Sequence, residues 1–136
     1  MKVFWDTNIF IYLVERHPIF HPQVLSLYDE QQSRGDQLVT SVLTLGELLA
    51  QPLRHNRHDL VDRYRSLLTA GIGIELAVFD RPAADHYAKI RSQTSVRQPD
   101  AIQLACAAAC GVAVFVTNDQ RLWNLTVPGV EVIRGL

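Results

Sequence analysis

At 136 residues, with 48% apolar residues and a formal net charge of −1, the chain reads as one globular domain over 1–136, neither disordered nor drawn to nucleic acid by global charge. Any contact with a polyanion must come from a local basic patch or from a bound cation. Its two cysteines, Cys106 and Cys110, lie one helical turn apart without a nearby histidine. That spacing excludes a zinc site and suits reduced thiols in a cytoplasmic protein.

Lys2 to Trp5 reads as a buried strand, and Asn8 to Arg16 as a helix with Ile9, Tyr12 and Leu13 at helical spacing. Asp6 and Asn8 interrupt this apolar start and no small-residue cleavage site follows, so a signal peptide is not expected. Pro18 and Pro22 punctuate the chain before a second helix marked by Val24, Leu25, Leu27 and Tyr28, which Gly35 can end. Leu38 to Thr40 is a short strand. The next helix runs from about Val42 to Leu49, and Pro52 is expected to break it. Arg54, His55, Arg57 and His58 form a basic loop, and Asp59 is placed to cap a helix containing Leu60, Val61, Tyr64, Leu67 and Leu68. Ile74 to Phe79 is strand-like, and Pro82 opens a helix with Ala84, Tyr87, Ala88 and Ile90. An Ala-rich helix over 100–110, a strand over 112–116, a turn or short helix around Arg121 to Leu125 and a strand from Val130 to Ile133 complete the pattern. The longest uncharged stretch, Ala101 to Asn118, is divided at Gly111 and reads as a buried helix–strand unit, not a membrane span.

Strands alternating with helices predict a three-layer α/β sandwich, its central, mostly parallel sheet flanked by helices. Ligands of such sheets bind beyond the carboxyl ends of the strands, where the strand order reverses. Asp6 and Asp119 follow two apolar strands, and Glu47 and Asp100 are expected in first helical turns. Singly, each acid has an ordinary explanation as a turn, cap or solvated helix residue. Jointly, their placement can bring four carboxylates to one pocket. Unpaired carboxylates about 4 Å apart repel by roughly 4 kcal/mol per pair at an effective dielectric of about 20, so such a cluster calls for protons or a divalent cation.

Four segments carry a resemblance. They are Val3-Phe4-Trp5-Asp6-Thr7-Asn8, Ser41-Val42-Leu43-Thr44-Leu45-Gly46-Glu47-Leu48, Pro99-Asp100-Ala101-Ile102-Gln103-Leu104-Ala105 and Val116-Thr117-Asn118-Asp119. In order and context the chain resembles PIN-domain ribonucleases, particularly the small VapC-type toxins of toxin–antitoxin pairs. The resemblance implies that Asp6, Glu47, Asp100 and Asp119 form the catalytic set, with Thr7, Asn8 and Thr117 as supporting polar residues. It also implies an RNA substrate, a cognate antitoxin that masks the site, and homodimerisation. The chain departs from the family pattern after Asp119, where members often carry another acid and a Phe; here Arg121 and Leu122 stand.

Hard oxygen ligands suit Mg²⁺ or Mn²⁺, with Asp6 and Asp100 as primary ligands and Glu47 and Asp119 completing the shell directly or through water. Metal-activated water attacking phosphorus should leave 5′-phosphate and 3′-hydroxyl ends, and one or two ions are both compatible with the residues. Arg54, Arg57 and Arg97 are candidate RNA-phosphate contacts. Histidine-led cleavage would need two oriented imidazoles, and His55 and His58 lack any motif that fixes them. A receiver domain would need a late lysine, yet none follows Lys89. A haloacid-dehalogenase-type phosphatase would want Asp where Asn8 stands. A housekeeping PIN nuclease and an inactive PIN-like binding module remain as alternatives within the resemblance.

Overall fold

The apolar strands alternate their side chains across a sheet that is covered on both sides. Its strands are β1 (Lys2–Trp5), β2 (Gln37–Ser41), β3 (Glu75–Ala77), β4 (Val114–Val116) and β5 (Val132–Arg134). They lie in the order β3-β2-β1-β4-β5, and every neighbouring pair is parallel. The sheet is therefore wholly parallel where the sequence predicts a mostly parallel one. The structure, a computed structural model, describes residues 1–71 and 73–136.

Helices α1 (Thr7–Val14), α2 (His21–Arg34), α3 (Val42–Arg54), α4 (His58–Ser66), α5 (Arg81–Gln93) and α6 (Gln98–Ala109) flank that sheet. The two-residue period of β1 sends Val3 and Trp5 to one face and Phe4 to the other. Val3 and Trp5 pack with Ile9, Phe10, Val24, Leu48 and Tyr64. Phe4 packs with Ile90, Leu104, Ala105 and Phe115, its ring stacked on that of Phe115 with centroids 4.8 Å apart. Burial on both faces is why the strands carry few polar residues. In α6, Ala101, Ala105, Ala107 and Ala108 are all buried, so small side chains let this helix lie close beneath the sheet.

Several local expectations need correction. Pro52 does not end α3, which runs on to Arg54 with Pro52 buried inside it. A proline this close to the end removes one N–H donor but leaves little helix beyond it to disrupt. The basic segment is consequently not a loop throughout: Arg54 closes α3, His58 opens α4, and Asn56 makes the reversal at φ +54°. Asp59 is not the cap of α4. Arg57 holds that position without a side-chain capping bond to the helix, and Asp59 in the first turn pairs with its guanidinium. Glu47 lies in the second turn of α3 because the helix starts directly after β2. Cys106 is buried and burial pushes its thiol up to about 11, whereas Cys110 is half-buried.

Gly35 ends α2 at φ +73°, with Asp36 N–H closing back on Gln31 O. A Cβ at Gly35 would meet nothing within 4 Å, so only backbone strain opposes one. Gly35→Ala should therefore destabilise by about 1 kcal/mol, read as a lower denaturant midpoint at unchanged m-value.

Candidate active site

The strand order reverses beside β1. The chain steps from β1 outward to β2 and β3, then crosses back to place β4 on the other side of β1. Asp6 leaves the carboxyl end of β1 and caps α1, its Oδ1 accepting from Thr7 N–H at 2.8 Å. Thr117, just beyond β4, is fully buried and donates its hydroxyl to Asp6 Oδ2 at 2.7 Å. The same hydroxyl accepts from Asp119 N–H at 3.1 Å, and Asn8 reaches it at 3.5 Å. Asn8 Oδ1 also accepts from Asn118 N–H at 3.3 Å. Thr117 thus ties the ends of β1 and β4 together through its side chain. Trp123 secures its backbone, donating Nε1–H to Thr117 O at 2.8 Å.

Ser41 ends β2 and caps α3, accepting from Thr44 N–H at 3.2 Å. Its hydroxyl donates to Gln103 Oε1 on α6. Gln103 Nε2 donates to Thr44 Oγ1 at 2.8 Å and to Glu47 Oε1 at 3.1 Å. Thr7 donates its hydroxyl to the same Glu47 oxygen at 2.8 Å. Glu47 is therefore held from both sides, by α1 and by α6. The sequence reading does not place Gln103, Ser41, Thr44 or Trp123 at this site. One signal for Gln103 is present in the sequence: a lone polar residue in an apolar helix, three positions after Asp100 and so on its face.

Asp6, Glu47, Asp100 and Asp119 line one pocket of about 230 Å³, together with Thr7, Asn8, Ile11, Pro99 and Gln103. A larger hollow of about 510 Å³ lies elsewhere, against Leu13, Val14 and Leu67, but only one acid lines it. Arg97 borders a cleft next to the acidic pocket, with Asp100 and Arg121. Arg54 and Arg57 line neither hollow, and Arg57 is held by Asp59 at 3.1 Å through two nitrogens.

The acids differ in their electrostatics. Burial pushes the Asp6 carboxyl up to about 6, against the lowering by Thr117 and Thr7, and the charges of Asp100 and Glu47 push the same way as burial. Burial also raises Asp100, aided by Asp119 and Glu47 and opposed by Arg121 and Arg97. Asp119 moves down, because the Arg121 guanidinium binds its carboxylate. That pair is bidentate, with Arg121 Nε 2.9 Å from Oδ1 and Nη2 2.6 Å from Oδ2.

Among the described residues, no three acids or histidines stand close enough to grip an ion as a ready-made cage. Mg²⁺ does not require one, since it commonly takes one or two carboxylates and keeps several waters. The donor set fits that ion: hard oxygens throughout, and two carboxylates, Asp6 and Asp100, whose ionised forms are disfavoured by burial and by neighbouring acids. A divalent cation relieves that strain.

Fold and site together define a doubly wound parallel α/β protein with an acidic pocket at its topological switch point. The chain belongs to the PIN-domain family, whose model matches residues 3–126. No curated protein matches it. Solved structures share the fold over almost the whole chain. VapBC2 from Rickettsia felis, bound to a promoter DNA fragment, has a TM-score of 0.75 at 17% identity, covering 99% of this chain and 98% of its own. DNA-bound VapBC from Salmonella typhimurium has a TM-score of 0.71 at 24% identity, covering 99% and 98%. Mycobacterium tuberculosis VapC20, a sarcin–ricin loop cleaving toxin, has a TM-score of 0.69 at 16% identity, covering 96% and 98%.

Proposed function

We propose that the protein is a metal-dependent endoribonuclease, the toxin of a VapBC-type toxin–antitoxin pair. The observation that carries this is the convergence of Asp6, Glu47, Asp100 and Asp119 on one pocket at the switch point of a PIN fold. The VapBC complexes and the RNA-cleaving VapC20 among the structural neighbours support the toxin reading over a housekeeping nuclease.

Asp6 and Asp100 would hold Mg²⁺ or Mn²⁺. Such an ion, when bound, lowers the pKa of water and neutralises phosphate charge. The chain's own groups supply the rest. Thr7 N–H and the Thr117 hydroxyl each engage one oxygen of Asp6, fixing the carboxylate plane. Among the described residues Glu47 is anchored through Oε1 alone, which leaves Oε2 to accept a proton from the attacking water. Water attack on phosphorus breaks the bond to O3′, so the products carry 5′-phosphate and 3′-hydroxyl ends.

An end-labelled RNA pool incubated with Mg²⁺, with Mn²⁺ and with EDTA tests this reading. Cutting with either metal and none in EDTA is expected, with ends that accept ligation without prior phosphorylation. Cleavage that persists in EDTA, or cyclic-phosphate ends, would overturn it. The partner proposed is a small antitoxin encoded beside this gene. Growth arrest on induction, relieved by that neighbour, is the expected outcome in cells. Among the described residues no helix is long and apolar enough to cross a membrane.

A further inference from the structure

Asp100 belongs to two hollows at once. On one side is the acidic pocket; on the other is a cleft of about 220 Å³ lined by Ser95, Val96, Arg97, Arg121, Leu122 and Leu125. Val96 and Leu122 are buried, which gives this cleft a firm apolar floor beneath two guanidinium groups. A polyanion entering the acidic pocket meets repulsion from four carboxylates, so a cationic foothold at its rim is what such a site needs.

Both arginines are available for that task. Arg97 stands at the N-cap of α6 without a side-chain capping bond, and it makes no ion pair among the described residues. Among the described residues Arg121 pairs only with Asp119, and its side chain is 63% exposed. The pair is bidentate, yet the guanidinium stays open to solvent on its outer side, where a phosphate can reach it. The fork that Arg121 offers Asp119, Nε to one oxygen and Nη2 to the other, is the geometry by which a guanidinium also grips a phosphate.

We infer that Arg97 and Arg121 form a subsite for an RNA backbone phosphate adjoining the scissile one, and that Asp119 parks Arg121 until that phosphate displaces it. The inference rests on the nuclease reading above and deepens it. Phosphate binding then does two things at once: it anchors the strand and it releases the Asp119 carboxylate into the acidic pocket.

The test is fluorescence anisotropy of a labelled oligoribonucleotide in EDTA across a salt titration, with KM and kcat measured separately in Mg²⁺. Arg97→Gln and Arg121→Gln should each weaken binding about 3–10-fold and lower the salt slope by about 0.7, the value for one phosphate contact on a single strand. Their loss should fall on KM more than on kcat. Arg121→Lys, which keeps the charge, should retain the wild-type slope. Asp119→Asn should bind RNA several-fold more tightly than wild type, and this gain should vanish when Arg121 is also Gln. Wild-type slope and KM in both arginine variants would overturn the inference while cutting by wild type upholds the nuclease. An equal gain from Asp119→Asn in both backgrounds would mean general charge relief and would overturn the parking role. Wild-type protein that neither binds nor cuts RNA would overturn the nuclease reading and this inference with it.

Discussion

Asp100→Asn should leave the protein folded and reduce RNA cleavage on the order of 10³-fold, the worth of several kcal/mol of transition-state stabilisation by a metal ligand. The fold does not depend on the charge of Asp100. Its carboxyl is half-exposed in the first turn of α6 and is raised by burial and by the charges of Asp119 and Glu47. Asparagine preserves its shape and forfeits the favourable interaction with the helix N-terminus, about 0.3–1 kcal/mol, while relieving the repulsion from two neighbouring acids. These opposing effects should leave the thermal midpoint close to that of wild type. Single-turnover cleavage in Mg²⁺, beside a melting curve for each protein, separates lost chemistry from lost structure. A folded variant that cuts at the wild-type rate would remove Asp100 from the proposed metal site.

The frame of the site was legible because local chemistry dictated it. An apolar run that stops at Asp6, another that stops before Asp119, and a proline placing Asp100 in a first helical turn are patterns read over a few residues. Asp6 and Asp119 converge by topology, since parallel strands present their carboxyl ends on one edge, and α3 and α6 bring Glu47 and Asp100 to that edge. What escaped the sequence depends on packing between distant elements. Gln103 meets Ser41, Thr44 and Glu47 only because α6 crosses beneath the end of β2 and the start of α3. Thr117 belongs to a recognisable segment, but its role as the tie between β1 and β4 follows from strand order, which no local pattern encodes. At Pro52 and Asp59 the reverse holds, and context overrides a local rule. Pro52 carries a helix-breaking signal that has little effect two residues from the end of α3, and the capping signal of Asp59 yields to the Arg57 guanidinium that holds its carboxylate.

Asp6→Asn is expected to make the metal-free protein more stable at pH 7.5 while abolishing activity. Asp6 ionises near its ordinary value of 3.8 in the unfolded chain, yet burial pushes it up to about 6 in the fold. The folded state therefore binds the extra proton between these values. Below about pH 4 the group is protonated in both states and contributes nothing; as pH rises through about 6 the fold must bury a charge that the unfolded chain leaves in water. A shift of this size corresponds to roughly 2–3 kcal/mol of lost stability at neutral pH. Asparagine removes that titration but denies the Thr117 hydroxyl its carboxylate acceptor, at a cost of about 1 kcal/mol. The net expectation is a gain of about 1–2 kcal/mol for the variant at pH 7.5, shrinking as pH falls toward 4.5. Added Mg²⁺ should narrow the gap from the other side, by stabilising the wild type alone. Denaturant unfolding at both pH values, with and without the ion, reads all of this at once. A variant less stable than wild type at pH 7.5 without metal would show that the buried charge of Asp6 is not a strain on the fold. An unchanged gap on adding the ion would show that Asp6 does not hold it.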